Sequence, residues 1–139
     1  MLDLQPLIEK FGLTQSEFRG NHRVVVAADK VYGLLETLKN SHGFNMLIDV
    51  TCVDYLEYEG ATDRFGVVYC LLNVSTGERL IVKTFINDPD PKLPTVTTLW
   101  MGADWMEREV YDMFGITFTG HHDLRRILMP DEFSAFPLR

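Results

Sequence analysis

The stretch MLIDVTCVDYLEYEGATDRFGVVYCLLNVSTGERLIVKTFI, residues 46–86, decides the fold. It holds three runs rich in β-branched and aromatic residues, separated by two polar turns. Residues 46–58 read as a long strand, with Ile48, Val50 and Cys52 on one side. The polar loop at 59–63 turns the chain into a second strand, Phe65 to Leu72. Ser75, Thr76 and Gly77 mark the next turn, and a third strand runs from Leu80 to Ile86. Two adjacent hairpins of this kind make an antiparallel meander. A first hairpin turning about Ala61 sets Cys52 opposite Cys70, within reach of a disulfide. Two packed, reduced thiols are the expectation, because cytosolic thiols are normally kept reduced.

On the N-terminal side, Leu2, Leu4, Leu7, Ile8 and Phe11 recur at helical spacing, and Gly12 supplies a C-cap. Val24, Val25 and Val26 read as a short strand. Asp29 is placed to cap a helix whose Val31, Leu34, Leu35 and Leu38 share one face, and Gly43 ends it. On the C-terminal side, residues 88–94 carry three prolines and read as an irregular loop. A last helix begins near Gly102 and stops at Gly115. Asp104, Arg108 and Asp112 stand four apart there and are expected to form an ion-pair ladder. Ala103, Met106, Val110 and Met113 are expected to bury. The order α-β-α-β-β-β-α predicts a two-layer α+β sandwich: a mainly antiparallel four-stranded sheet with helices on one face. This domain is expected over residues 1–115, followed by an extended C-terminal tail over 116–139.

The tail is too apolar for a solvated linker. It holds Ile116, Phe118, Leu124, Ile127, Leu128, Met129, Phe133, Phe136 and Leu138, with neither helical nor strand period. Its expected place is on another protein, which would cover the surface the domain leaves open.

Composition narrows the chemistry. The 139 residues fit one domain, and the net charge of −7 argues against nucleic acid or anionic lipid as a direct partner. No apolar run approaches the roughly 20 residues that span a bilayer, so no direct membrane insertion is expected. The first 20 residues carry Asp3, Glu9 and Glu17 and lack the basic start and apolar run of a secretory signal. Two cysteines outside any CxxC spacing cannot hold a conventional iron–sulfur cluster, which takes four thiolates.

Among local motifs, His121-His122-Asp123 raises metal binding or acid–base chemistry. Adjacent histidines point in different directions in most backbones, so hydrogen bonding in an interface turn is the preferred reading. Glu107 and Glu109 flank Arg108 and project from different sides of a helix, so they make no carboxylate pair. A solvated or interface ion-pair face is expected for them. Arg125-Arg126 is a basic doublet suited to carboxylate pairing inside an interface. Neither a Gly-rich phosphate loop nor a Gly-x-Ser-x-Gly elbow occurs.

The run from Glu107 to His121, EREVYDMFGITFTGH, resembles the signature of the complex I thirty-kilodalton subunit family, ERE-x-[YF]-D-x-[FY]-G-I-x-F-x-G-H. The continuation DLRRILMP from Asp123 to Pro130 matches as well, and Phe136-Pro137-Leu138-Arg139 is similar to the family's closing PLRKD. Asp54-Tyr55, Arg64-Phe65 and Val67-Val68-Tyr69 resemble its strand motifs, so the likeness covers roughly residues 45–139. His122 stands where the family usually has proline and Ala135 where it has glycine. The chain ends at Arg139, before the usual lysine and aspartate.

The resemblance implies a clamp-like subunit of the hydrophilic arm of a proton-translocating NADH:quinone oxidoreductase. It would be peripheral, on the cytoplasmic face of the inner membrane or the equivalent matrix side. It implies no redox cofactor in this chain, with FMN and iron–sulfur clusters in partner subunits. The implied partners are the forty-nine-kilodalton-type subunit, which helps form the quinone cavity, and other subunits of the arm. The implied partner-binding residues are Glu107, Arg108, Glu109, Tyr111, Asp112, Phe114, Gly115, Phe118, His121, Asp123, Leu124, Arg125, Arg126, Leu128, Pro137 and Arg139. An equivalent subunit of a membrane-bound hydrogenase, an F420H2 dehydrogenase or a ferredoxin–plastoquinone oxidoreductase is the alternative. A metal-dependent enzyme built on His121, His122 and Asp123 is a rival of a different class.

Overall fold

The computed structural model describes residues 3–18, 21–56, 60, 62–122, 124, 136 and 138. The elements are α1 (Gln5–Phe11), β1 (Thr14–Phe18), β2 (Asn21–Val25), a 3-10 turn (Ala28–Lys30), α2 (Val31–His42), β3 (Met46–Asp54), β4 (Phe65–Leu72), β5 (Arg79–Ile86), β6 (Lys92–Pro94), α3 (Ala103–Phe114) and β7 (Thr117–Thr119). Gly12, Gly43 and Gly115 end the three helices in the left-handed conformation, with φ of 68°, 77° and 77°. That conformation costs a Cβ-bearing residue dearly, which explains the glycine at each stop.

The main sheet has five strands in the order β1-β2-β5-β4-β3. The meander β3-β4-β5 is antiparallel, as the two polar turns require. The sequence expectation of four strands is short by one: Thr14–Phe18 pairs with Asn21–Val25 as an antiparallel edge hairpin. Its TQSEF sequence has no apolar alternation and gives no strand signal. β2 joins β5 in parallel, the one parallel pair of this sheet. The mixed α+β class and the mainly antiparallel sheet are as expected.

Alternation sets the core. Phe65, Val67, Tyr69 and Leu71 of β4 and Leu80, Val82, Thr84 and Ile86 of β5 are buried on one face. Leu34, Leu35 and Leu38 of α2, together with Ala103 and Val110 of α3, cover them. A register irregularity between Leu47 and Asp49 lets both Leu47 and Val50 turn inward, so Ile48, expected on the same side as Val50, does not belong to the buried set. The observed register pairs Cys52 with Val67 and Cys70 with Asp49. The two thiols form no disulfide and lie on opposite faces of the sheet, because an odd displacement of register flips every side chain. The hairpin does not turn symmetrically about Ala61, and that removes the disulfide geometry.

The turn end of the β3–β4 hairpin is held by ions. Arg64 donates from Nε and Nη2 to both oxygens of Asp54 at 3.2 Å each, and from Nη1 to Asp88 at 2.7 Å. The backbone N–H of Arg64 donates to Asn87 Oδ1 at 2.7 Å. Asp54 is only 10% exposed, so its charge depends on that fork. Arg64→Ala is expected to lower unfolding free energy by about 2 kcal/mol, since it strands a largely buried carboxylate. Arg64→Lys recovers only part of this, having no planar fork. Urea titration of the two variants checks it, and equal midpoints for wild type and Arg64→Ala would contradict it.

Candidate partner-docking site

The family signature begins on α3, and the helix divides its charges between inside and outside. Ala103, Glu107 and Val110 recur at helical spacing on the core stripe. Glu107 is thus carried inward and is fully buried. Its carboxylate accepts from Thr95 Oγ1 at 2.5 Å and from the backbone N–H of Val96 at 2.8 Å. It ties the turn after β6 to the middle of α3. Burial, with a smaller push from the charge of Asp104, raises its pKa from 4.5 to about 7, against the lowering effect of the two hydrogen bonds. Tyr69 lies fully buried with its hydroxyl unpaired among the described residues. Burial first, and the Glu107 charge second, push that phenol above its ordinary range.

The expected Asp104–Arg108–Asp112 ladder is not the arrangement found. Eight residues along a helix amount to a rotation of about 80°, so Asp112 drifts off the outer face. Asp112 is fully buried, Asp104 turns to His121, and the Arg108 guanidinium lies 5.2 Å from the Trp105 ring centre. Of the helix residues expected on the partner face, Glu107 and Asp112 are therefore corrected to interior positions. Arg108, Glu109, Tyr111 and Phe114 keep partly exposed side chains. Met106 and Met113 are only partly buried, not in the core as expected.

The tail begins later than residue 116. Ile116 and Phe118 are 0% and 2% exposed, inside the domain core. β7 runs parallel to β6, pairing Phe118 with Leu93. The N–H of Thr95 donates to the carbonyl of Thr119 at 2.8 Å, and that of Thr117 to Pro91 at 3.1 Å. Phe118 is thus a core residue, not a partner contact. The packed domain continues to His121, whose side chain is fully enclosed with Nε2 2.9 Å from Asp104 Oδ1. His122 stacks on His121 with ring centres 5.1 Å apart and planes 5° from parallel. His122 Nε2 lies 3.7 Å from the other Asp104 oxygen. Two parallel imidazoles facing one carboxylate form a latch on the first turn of α3. Among the described residues no three His, Cys, Asp or Glu side chains are grouped as for a metal ion.

Beyond the latch, Leu124 packs against the core. Phe136 meets Tyr111 edge-on at 6.1 Å between ring centres. The N–H of Leu138 donates to the carbonyl of Met113 at 2.9 Å. Leu138 lines a groove of about 400 Å³ between β3 and α3, together with Val50, Cys52, Glu109, Val110 and Met113. The chain after Gly115 therefore uses part of its apolar surface at home. Asp123, Arg125, Arg126, Leu128, Pro137 and Arg139 lie outside the described residues. Trp105 and Met101 were not singled out from sequence, yet they are 55% and 89% exposed beside Arg108 and Gly102. An aromatic at a helix position opposite the core stripe was the available signal.

Comparison with known proteins places this geometry. Residues 24–139 match the family model described as respiratory-chain NADH dehydrogenase, 30 Kd subunit. The C subunit of NADH-quinone oxidoreductase from Geobacter sulfurreducens is 45% identical over 136 residues, spanning 96% of this chain and 83% of the relative. NADH-quinone oxidoreductase subunit 5 of Thermus thermophilus is 48% identical over 103 residues, spanning 70% of this chain and 50% of the relative. Among solved structures, a trypsin-resistant fragment of Nqo5 superposes with a TM-score of 0.79 at 38% identity, over 87% of this chain and 98% of the fragment. A chain of the membrane-bound sulfane sulfur reductase, an archaeal respiratory membrane complex, superposes with a TM-score of 0.78 at 28% identity, over 93% and 75%. The chain, with its ERE helix, β7 and histidine latch, belongs to the respiratory-chain NADH dehydrogenase 30 Kd subunit family.

Proposed function

We propose that this chain is a non-catalytic positioning subunit of the hydrophilic arm of an NADH:quinone oxidoreductase. It carries no redox cofactor, and its partners are the forty-nine-kilodalton-type subunit and other subunits of the arm. Electrons pass through clusters and flavin held by those partners, on the cytoplasmic face of the membrane or its equivalent. The observation that carries this reading is how the signature residues are used. Glu107 and the His121–Asp104 latch make contacts within the domain, which builds a rigid α3. The same helix leaves Trp105, Arg108, Glu109 and Tyr111 at the surface. A rigid helix with an exposed aromatic–arginine pair suits docking, where tryptophan, tyrosine and arginine dominate binding energy. No helix among the described residues is long and apolar enough to cross a membrane, which fits attachment through partners.

Quinone reduction tolerates little misplacement of the reacting groups, so holding neighbours in register is itself a contribution to rate. The likeness to a chain of the sulfane sulfur reductase favours one second reading, the equivalent subunit of a related respiratory complex with another electron donor. Native purification tests both. The chain is expected to co-purify with a forty-nine-kilodalton-type subunit and NADH-binding subunits, and, when isolated, to contain neither flavin nor iron. Co-purification with a hydrogenase or sulfur-reducing module would establish the second reading. A visible absorption band in the isolated chain would overturn the cofactor-free assignment.

A further inference from the structure

We propose that the face of the five-stranded sheet turned away from the described helices is a second docking surface, whose occupant is an amphipathic, carboxylate-bearing segment of a neighbouring subunit. The inference rests on the subunit reading above and adds a surface to it, away from α3. The helices bury their apolar faces in one cluster, against the inward set of strand residues. The alternate set faces the other way. Val25, Val68, Cys70, Leu72, Ile81 and Phe85 there are only half-buried, and Thr51 is exposed. Cross-strand register lines them up: Asp49 beside Cys70 beside Ile81 beside Arg23, and Thr51 beside Val68 beside Lys83 beside Val25. The middle of the face is thus apolar and β-branched, a surface that gains by being covered.

Two hollows mark it. One, of about 220 Å³, has Cys70, Ile81 and Ile48 in its lining with Asp49 and Arg79. The other, of about 390 Å³, lies toward the turn end of the β3–β4 hairpin between Tyr55 and Phe85, with Lys83, Thr62 and Asp63. Lys83 reaches over both rings, 4.8 and 5.1 Å from their centres, and hydrogen bonds to the Tyr55 hydroxyl. Gly66 makes this closure possible: a Cβ there would sit 2.7 Å from the Lys83 Cε and 2.9 Å from a Tyr55 ring carbon. Charge selects the occupant. The whole chain carries −7, yet this face presents Arg23, Arg79 and Lys83 against Asp49 and the rim carboxylate of Asp63. A partner segment with apolar side chains toward Cys70 and Ile81 and carboxylates toward Arg79 and Lys83 matches both features. A second copy would set like charges opposite each other, and the chain's overall negative charge opposes an anionic lipid surface.

The thiol at the centre of the face supplies the test. The native complex and the isolated chain are treated with N-ethylmaleimide at one pH, and alkylation of Cys70 is followed by mass spectrometry. Burial and Asp49 raise the Cys70 pKa, so the comparison is made between states and not against a free thiol. At least tenfold slower alkylation in the complex is expected. Equal rates in an intact complex would overturn this inference while leaving the subunit reading standing. Failure of the chain to co-purify with any other subunit would overturn both. Protection of the isolated chain that rises with its own concentration would assign the face to a second copy and overturn the partner assignment. Protection by phosphatidylglycerol vesicles alone would overturn it in favour of lipid. Arg79→Glu is the companion variant: its recovery in the complex is expected to fall tenfold with the melting temperature of the isolated chain unchanged. Undiminished recovery would contradict the charge argument.

Discussion

Deletion of residues 125–139 is expected to leave a folded domain that no longer enters the assembled complex, whereas deletion of 116–139 is expected to abolish folding. The two truncations differ by the segment that includes β7 and the histidine latch. The longer deletion removes Ile116 and Phe118, which are 0% and 2% exposed, and strips β6 of its strand partner. Loss of a buried aromatic and a buried aliphatic side chain costs about 3–5 and 2–5 kcal/mol respectively, comparable with the whole stability of a domain this size. The shorter deletion removes the Phe136 ring contact with Tyr111 and the Leu138 hydrogen bond to Met113, neither of which supports the core. It also removes Arg125 and Arg126, and loss of one side of a desolvated ion pair typically costs about 2–5 kcal/mol of binding. Circular dichroism melting separates the two variants, and native electrophoresis of the complex reads assembly. Normal assembly without residues 125–139 would show that this segment is not the clamp.

Replacing Glu107 by glutamine is expected to flatten the pH dependence of stability on the alkaline side. The carboxyl is held protonated more firmly in the folded chain, at about 7, than in the unfolded one at 4.5. A group raised in this way contributes stability fully below about pH 4.5, and that contribution is lost as pH rises through about 7. The gap from 4.5 to about 7 corresponds to roughly 3 kcal/mol. Glutamine keeps an acceptor for the Val96 N–H and a group facing Thr95 but cannot ionise. Glu107→Gln is therefore expected to match wild type near pH 4 and to exceed it by up to about 3 kcal/mol at pH 8. Glu107→Ala is expected to lie about 2–4 kcal/mol below Glu107→Gln at both values, because it orphans a buried N–H and opens a cavity. Guanidinium titrations at the two pH values decide it. A glutamine variant weaker than wild type at pH 8 would mean that the ionised carboxylate is what the fold requires.

The meander was legible because its three runs alternate cleanly between short polar turns. The helix stops were legible because each needs a glycine at positive φ. β1 was not legible, since Thr14–Phe18 pairs through its backbone at a sheet edge and carries no apolar alternation. The true register of the β3–β4 hairpin was hidden by an asymmetric turn and by the irregularity at Ile48, and that one displacement sent the two cysteines to opposite faces. At the candidate site, family signature and surface exposure proved to be different things. Glu107, Asp112 and Phe118 belong to the signature yet are buried, since a motif records what the fold needs as well as what a partner touches. The spacing of Ala103, Glu107 and Val110 already placed one carboxylate on the core stripe. An isolated charge at a core position signals an internal hydrogen bond more often than an interface. The β6–β7 pairing was beyond reach, because two very short strands separated by the whole of α3 leave no periodic trace.

The proposed role of the α3 surface is tested most directly by placing a photo-crosslinking amino acid at position 105, where the native tryptophan is 55% exposed and touches Arg108. The native complex carrying this variant is irradiated, and the crosslinked product is identified by mass spectrometry. A covalent product joining this chain to a forty-nine-kilodalton-type subunit is the predicted result. An intact complex in which residue 105 couples only to solvent, or only within its own chain, would contradict the assignment of α3 as the face that holds the neighbouring subunit in place.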